Sequence, residues 1–356
     1  MTRIAQFHPE LREHDAVSSE VAALHFLFAR SGLTSAVFAE RRSGCWLSLA
    51  EPSPTLASFA PSLVLIHYSL ADPAHDRWAE DKTPKALLYH GITPAAWMGL
   101  ANEGAFRGCL NAAGQIARLR PSIRAFFTHS SFTAVELHHL GVPGAAVMPY
   151  LPWQELYLVA PHQDTLASLS DKSRFCLLQV GSIMPHKRLE MSLLALRHLQ
   201  SGSIGRWSLH IVGRDDAAPF YKSLLSAFVR QLKLQDVHFA GPVEQSVLNA
   251  YYRGAFAMLV TSVHEGFCVP VLEAFWADCP VVGFAAGALP ETAGGAGVLL
   301  ECAEPYLLAR CLLTLAEKPD LRQKVIDRQR ERLRAMAGPP VEAVWMNAIR
   351  ELLEKG

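Results

Sequence analysis

The sequence predicts an α/β protein with two parallel, doubly wound sheets. Short β-rich runs alternate with amphipathic helical stretches, and the alternation occurs twice, with about six strands each time. A length of 356 residues agrees, because about 150 residues per domain gives roughly two domains. Apolar residues make up 50% of the chain and charged residues 19%, which supplies ample core and excludes a disordered chain.

In the first half the strands are expected at Ile4–Phe7, Ala36–Ala39, Leu63–Tyr68, Ala86–His90, Ala125–Thr128 and Ala146–Met148. Between the first two, Ser18–Ala29 places Val21, Leu24, Leu27 and Phe28 on one helical stripe, with Ser18 or Ser19 as N-cap. Periodicity lapses over Leu151–Ser173, where Pro152, Pro161 and polar residues gather, so the domains read as 1–160 and 161–337. The second half repeats the pattern with strands at Phe175–Val180, Ser208–Val212, Val237–Ala240, Ala257–Thr261, Pro280–Gly283 and Val298–Leu300. Helical patterns at Leu189–Leu199 and Phe220–Leu232 lie between them. Gly338, Pro339 and Pro340 break the chain before a last helix, Val341–Leu353, with a stripe of Val344, Ala348 and Leu352. This segment, 338–356, can pack on either domain, and the first is the expectation. Two such domains are expected to face each other across a cleft at the carboxyl ends of their strands, where open α/β sheets bind ligands.

Composition excludes several functions. Lys plus Arg and Asp plus Glu each number 33, so the basic surplus that nucleic-acid binding needs is missing. No apolar run approaches the roughly 18 residues of a membrane span. The opening MTRIAQFHPELREHD has no long apolar run behind its basic residue and does not read as a secretory signal. The seven cysteines form no CxxC pair, which argues against a disulfide framework or zinc ribbon and for a reducing cytoplasm.

Three segments after predicted strands carry chemistry. In TSVHEGFCVPVLE (261–273) a loop from His264 to Val269 leads into a helix that Pro270 begins, so the amides of Gly266 to Val269 make an anion site. Glu265 in that loop and Glu273 in the helix are out of place beside an anion unless they accept hydrogen bonds from hydroxyls; otherwise they are a solvated loop acid and a first-turn acid. In VGSIMPHKR (180–188), Lys187 and Arg188 open a helix against its dipole, which a bound diphosphate would explain; otherwise they form a solvated basic turn, the commoner case for a single such pair. GALPE (287–291) combines a permissive glycine with a capping-type acid. In the first half His67 and His90 follow strands, where a lone histidine is more often structural, and Asp15 sits in a loop that lacks glycine. Asp215 and Asp216 read as a polar helix entry, and no metal site is expected.

Together these segments resemble the retaining glycosyltransferases of family 4, with the GT-B architecture. HEGFCVPVLEA resembles the family's E-x7-E motif, VGSIMPHKR its basic diphosphate loop, and CPVVGFAAGALPE its glycine-proline-glutamate segment; IVGRDD and FAGPVEQSVLNAYY fall in the family's order. HDAVSSEV, IHYS and YHGITP resemble a bacterial subgroup that makes surface polysaccharides, often mannosyltransferases. The resemblance implies that Glu273 holds the ribose and that Glu265 contacts donor-sugar hydroxyls. It places the amides of Phe267, Cys268 and Val269, beside Gly266, around sugar and phosphate. Lys187 is implied to neutralise the diphosphate, His90 to lie near the reacting carbon, and Asp15 and His67 to lie on the acceptor side. Ser182 stands where the family has arginine, with Arg188 as its candidate replacement, and Cys268 stands where the family has glycine.

The expected activity is transfer of a hexose, with mannose the first candidate, from a GDP- or UDP-sugar to a glycan or lipid-linked acceptor. The anomeric configuration is retained and no further cofactor is required. Lys187 and the helix N-terminus would hold leaving-group charge most strongly in the transition state. The alternative is a non-catalytic GT-B partner protein that only binds a sugar nucleotide. The cytoplasm is the expected compartment. Peripheral contact with the inner membrane would use Asn102–Arg124, where Arg107, Arg118, Arg120 and Arg124 accompany Leu100, Phe106, Leu110, Ile116 and Leu119; a solvated basic helix is the plainer account.

Overall fold

The computed structural model describes every residue except 1, 172, 203, 204, 338, 339, 355 and 356. It divides the chain into two units. The first contains Met1–Ile92, Arg107–Trp153 and Ala337–Gly356; the second contains Thr93–Phe106 and Gln154–Met336. The second unit thus starts at Gln154, earlier than the boundary at 160. Asn249 Nδ2 explains the shift, donating to the carbonyls of Leu156 at 3.0 Å and Val159 at 2.8 Å. His162 N also donates to Ser246 O at 2.9 Å. Thr93–Phe106 joins the same unit, tied by Asn102 N to Ala217 O at 3.0 Å. The expected breakers Gly338 and Pro339 lie outside the described residues.

The first unit is built on a seven-stranded, wholly parallel sheet. Its spatial order is Glu51–Pro52, Thr34–Ala39, Arg3–Phe7, Leu63–Tyr68, Lys85–Tyr89, Ala125–Thr128 and Ala146–Val147. The unexpected strand, Glu51–Pro52, has two residues and sits at an edge, where proline is tolerated. Alternation along the central strand feeds two cores. Leu63 and Leu65 meet Leu24, Phe28 and Trp345 on one face, and Val64, Ile66 and Tyr68 meet Trp78 and Ile116 on the other.

The first helix runs Ala16–Arg30, and its cap is Asp15 rather than Ser18 or Ser19. The Asp15 carboxylate accepts from Ser18 N at 2.8 Å and Ser18 Oγ at 2.9 Å. Ser18 therefore serves as a donor inside the first turn. The helix Val341–Glu354 buries Trp345, Met346, Ile349 and Leu352 in the first unit's core, whereas Val344 is 36% exposed. Of the predicted stripe, Leu352 and Ala348 pack on the core and Val344 does not; Trp345 takes its place and anchors the helix through Nε1 to Pro149 O at 2.9 Å. In helix Glu103–Leu119, Ile116 and Leu119 are buried in the core, so only part of the supposed membrane-facing stripe is exposed. Among the described residues no helix is long and apolar enough to cross a membrane.

The second unit carries a six-stranded parallel sheet in the order Val237–Gly241, Arg206–Val212, Arg174–Val180, Ala257–Val260, Val281–Phe284 and Val298–Leu300. Its apolar core gathers Leu178, Met258, Val271, Phe275 and Val281. From Arg174–Val180 the chain proceeds outward to one side, and from Ala257–Val260 to the other. The carboxyl ends of these two adjacent strands form the topological switch point, the place where doubly wound sheets take ligands.

Candidate functional site

Both loops at this switch point come from the segments singled out in the sequence. After Val180 the chain turns at Gly181 (φ 129°) and passes Ser182. A short 3₁₀ turn, Pro185–Lys187, leads to Arg188 in the left-handed region (φ 49°, ψ 49°) and into helix Leu189–Gln200. Gly213, at the end of the next strand, backs this turn. A Cβ there would stand 2.2 Å from Gly181 O, so only glycine fits. The Thr261 hydroxyl lies 2.8 Å from Lys187 O and 3.1 Å from Arg188 O, and it accepts from Gln179 Nε2 at 2.9 Å. Val263 N donates to His186 O at 2.9 Å, which joins the two loops.

Lys187 and Glu265 meet at the centre. Lys187 Nζ donates to Glu265 Oε1 at 2.6 Å, and Ser262 Oγ donates to the same oxygen at 2.6 Å. Burial opposes the charge on Lys187, yet the adjacent carboxylate outweighs it and holds the ammonium above its ordinary pKa. Burial likewise works against the Glu265 carboxylate, but Lys187 and Ser262 hold it below its usual range. Both groups are therefore charged at neutral pH. The backbone of Glu265 is fixed from behind, where Ala288 N donates to its carbonyl at 2.8 Å. Gly287 packs so closely that a Cβ would lie 2.6 Å from Glu265 N.

Past Gly266 and Phe267, Cys268 takes φ 75° and ψ 66° as the N-cap of helix Val269–Trp276. A non-glycine residue thus holds a left-handed conformation that glycine would adopt without strain. The helix begins at Val269, one residue before the expected Pro270, because proline occupies its second position. Gly181, Ser182, Lys187, Ser262, Glu265 and Cys268 line a narrow recess between the loops. Glu273 lies in the first turns of the helix and accepts from Tyr252 OH at 2.6 Å. Burial pushes its pKa up. Arg188 is engaged elsewhere, with Nε donating to Glu190 Oε1 at 3.2 Å and its guanidinium against Met191 Sδ at 3.0 Å. Asp215 pairs with Lys222, and Asp216 pairs with Arg214 at 2.9 Å.

In the first unit the structure assembles a group that the sequence did not. His67 is fully buried, with Nε2 at 2.9 Å from Gln6 Oε1 and Nδ1 at 3.1 Å from His90 Nε2. It is thus enclosed, with His90 as its imidazole neighbour. Burial, then the neighbouring imidazoles, depresses the pKa of His90 well below its ordinary value. His90 Nδ1 stands 3.8 Å from Glu20 Oε2, and His129 Nε2 stands 2.8 Å from the same oxygen. Asp15 is committed to its helix cap. Sequence reasoning missed Thr261, Gln179 and Ser262 in the second unit and Glu20 and His129 in the first. Thr261 and Ser262 carried the only local signal, being hydroxyls directly after a strand.

The comparisons bear on the second unit first. The family described as glycosyl transferases group 1 matches residues 165–332, which contain every residue of the Lys187–Glu265 site. Residues 165–332 thus resemble a group 1 glycosyltransferase domain. A D-inositol 3-phosphate glycosyltransferase of Thermomonospora curvata is 29% identical over 309 residues, covering 79% of this chain and 64% of that protein. The O-antigen chain mannosyltransferase RfbU of Salmonella typhimurium is 35% identical over 107 residues, covering 30% of this chain and 28% of RfbU. The chain spans less than two thirds of the length of these relatives. Among solved structures, the sucrose-phosphate synthase of Thermosynechococcus elongatus covers 100% of both chains at a TM-score of 0.76 and 17% identity. Anabaena HepE in complex with UDP and glucose covers 100% of both chains at a TM-score of 0.71 and 14% identity. The two parallel α/β sheets match the GT-B fold of these structures.

Proposed function

We propose that the protein transfers a hexose from a nucleoside-diphosphate sugar to a glycan or lipid-linked acceptor, with retention at the anomeric carbon. The observation that carries this reading is the buried Lys187–Glu265 pair at the switch point of the second unit, inside the group 1 match. A structural ion pair needs no glycine turns on both sides and no helix N-terminus beside it. This pair has Gly181, Gly213 and Gly287 around it and helix Val269–Trp276 next to it. A diphosphate entering the recess exchanges Glu265 for its own oxygens at Lys187, and Glu265 is released to accept from sugar hydroxyls. As the bond to the anomeric carbon breaks, negative charge grows on the leaving phosphate, and the ammonium and the helix dipole bind it more strongly than in the ground state. Glu273, which accepts from Tyr252, would also accept from the ribose. Ser182 and the backbone from Gly266 to Val269 line the donor, with Arg188 needed only if it leaves Glu190.

UDP and GDP are the donor nucleotides to test first, and HepE is a structural neighbour solved with UDP and glucose. RfbU is the relative that makes mannose the first sugar to try. His90 is assigned to the reacting sugar. The seven cysteines are all free, which agrees with a cytoplasmic enzyme. The deciding experiment incubates the protein with a panel of UDP-, GDP-, ADP- and TDP-sugars and follows nucleotide release and product anomers by NMR. Release of nucleotide with a retained anomer supports the reading. A thermal shift with nucleotide but no turnover on any acceptor or water replaces it with the sugar-nucleotide-binding partner protein.

A further inference from the structure

We propose that Glu20, His90 and His129 form a binding site for a divalent transition-metal ion of the zinc type in the first unit. One ligand atom from each side chain lies within 4.8 Å of the others. Their separations, 2.8 Å from Glu20 Oε2 to His129 Nε2 and 3.8 Å from Glu20 Oε2 to His90 Nδ1, straddle the required spacing. Zinc bonds of about 2.0–2.1 Å at a tetrahedral angle put ligand atoms about 3.3 Å apart.

Hydrogen-bond direction explains why a cation belongs there. Gln6 Nε2 donates to Val21 O at 3.0 Å, so Gln6 Oε1 is left to accept. His67 Nε2 must then donate to it, and His67 Nδ1 becomes an acceptor. His90 Nε2 donates to that nitrogen, which leaves the lone pair of His90 Nδ1 aimed at the Glu20 carboxylate. On the other side His129 Nδ1 faces Met148 O at 3.1 Å, which can only accept, so this nitrogen carries hydrogen and Nε2 faces Glu20. Two imidazole lone-pair positions and a carboxylate thus converge on one point. Each histidine is oriented through its other nitrogen, which is how metal-ligating histidines are held. Glu20 is 1% exposed, and its second oxygen, Oε1, has no hydrogen-bond partner among the described residues. A buried carboxylate oxygen left in that state is costly unless a cation or a cation-bound water meets it. Without metal, a proton on His129 is the substitute. Sequence spacing could not reveal the site, because the three ligands come from a helix and two strand ends far apart in the chain.

The site shares His90 with the transferase reading, but its test reads zinc binding alone and does not depend on that reading. The full chain is stripped with chelator and titrated with zinc by calorimetry. One ion per chain is expected, with Glu20→Gln and His129→Ala each weakening binding at least tenfold. A His138→Ala/His139→Ala double variant on the surface leaves it unchanged. Cobalt(II) loading of the wild-type chain gives a second measurement that needs no variant to fold, with the intense visible bands of a four-coordinate ion as the expected result. Absence of stoichiometric zinc, equal affinity in folded Glu20→Gln and His129→Ala variants, or only the weak spectrum of six-coordinate cobalt overturns the proposal.

Discussion

The two units share a topology but treat their switch points in opposite ways. In the second, the strands Arg174–Val180 and Ala257–Val260 open into loops that glycine keeps slim, around a charged pair. In the first, the equivalent strands Arg3–Phe7 and Leu63–Tyr68 end at His8 and Ser69, whose side chains close on each other at 3.1 Å. The loop after Phe7 has no glycine before Gly32 and spends its acid, Asp15, on a helix cap. A parallel sheet therefore supplies the location of a site, while loop composition determines whether backbone donors can come near an anion there.

The largest test of this contrast is kinetic. Lys187→Ala should lower kcat about a hundredfold or more, as loss of a group that stabilises transition-state charge does, whereas His8→Ala should change it only a few fold. Steady-state assays with the donor found active in the panel measure both. Equal losses would erase the distinction between the switch points.

The next effect is on stability. Gly213→Ala drives a Cβ into Gly181 O at 2.2 Å with φ at 145°, so about 3 kcal/mol should be lost in urea unfolding. Gly108→Ala in the first unit meets only the partly exposed Leu70 side chain at 2.5 Å, which can turn aside. A loss of about 1 kcal/mol is expected there.

A third effect is the pH response of the Lys187–Glu265 pair. The raised Lys187 pKa gives stability that disappears as pH climbs through it, and the lowered Glu265 pKa gives stability that disappears as pH falls through it. The urea midpoint of the wild type should therefore exceed that of Glu265→Gln most between about pH 5 and pH 9, with the gap narrowing on both sides. A gap that widens toward acid would contradict the pairing. The smallest effect concerns Cys268. Cys268→Gly relieves a left-handed backbone but removes a buried thiol, so the two changes should cancel to within about 1 kcal/mol, with nucleotide affinity retained.

Much of the second unit could be read from its residues, because its site is local. VGSIMPHKR and HEGFCVPVLE each follow a strand, and one fold rule brings them together. The first unit was legible in its strands and hardly at all in its polar interior. Glu20 follows two serines on a helix and looks like a surface acid until the sheet sets it against His90 and His129. Asp15 escaped as a cap because Ser18 and Ser19 offered the same chemistry three and four residues later. In the last helix the stripe was right at Leu352 and Ala348 and wrong at Val344, and only packing showed that the neighbouring Trp345 was the anchor.

Trp345 also sets the order in which the molecule can be completed during synthesis. The sheet of the first unit is translated by Trp153, yet the core face around Leu63, Leu65 and Phe127, covered in part by Leu24 and Phe28, is completed only when residues 341–354 emerge and lie on it. Gln154–Met336, the greater part of the second unit, is made in that interval. The nascent chain must therefore shelter an unfinished first half while the second half folds, which makes this interval the one in which chaperones would be needed most.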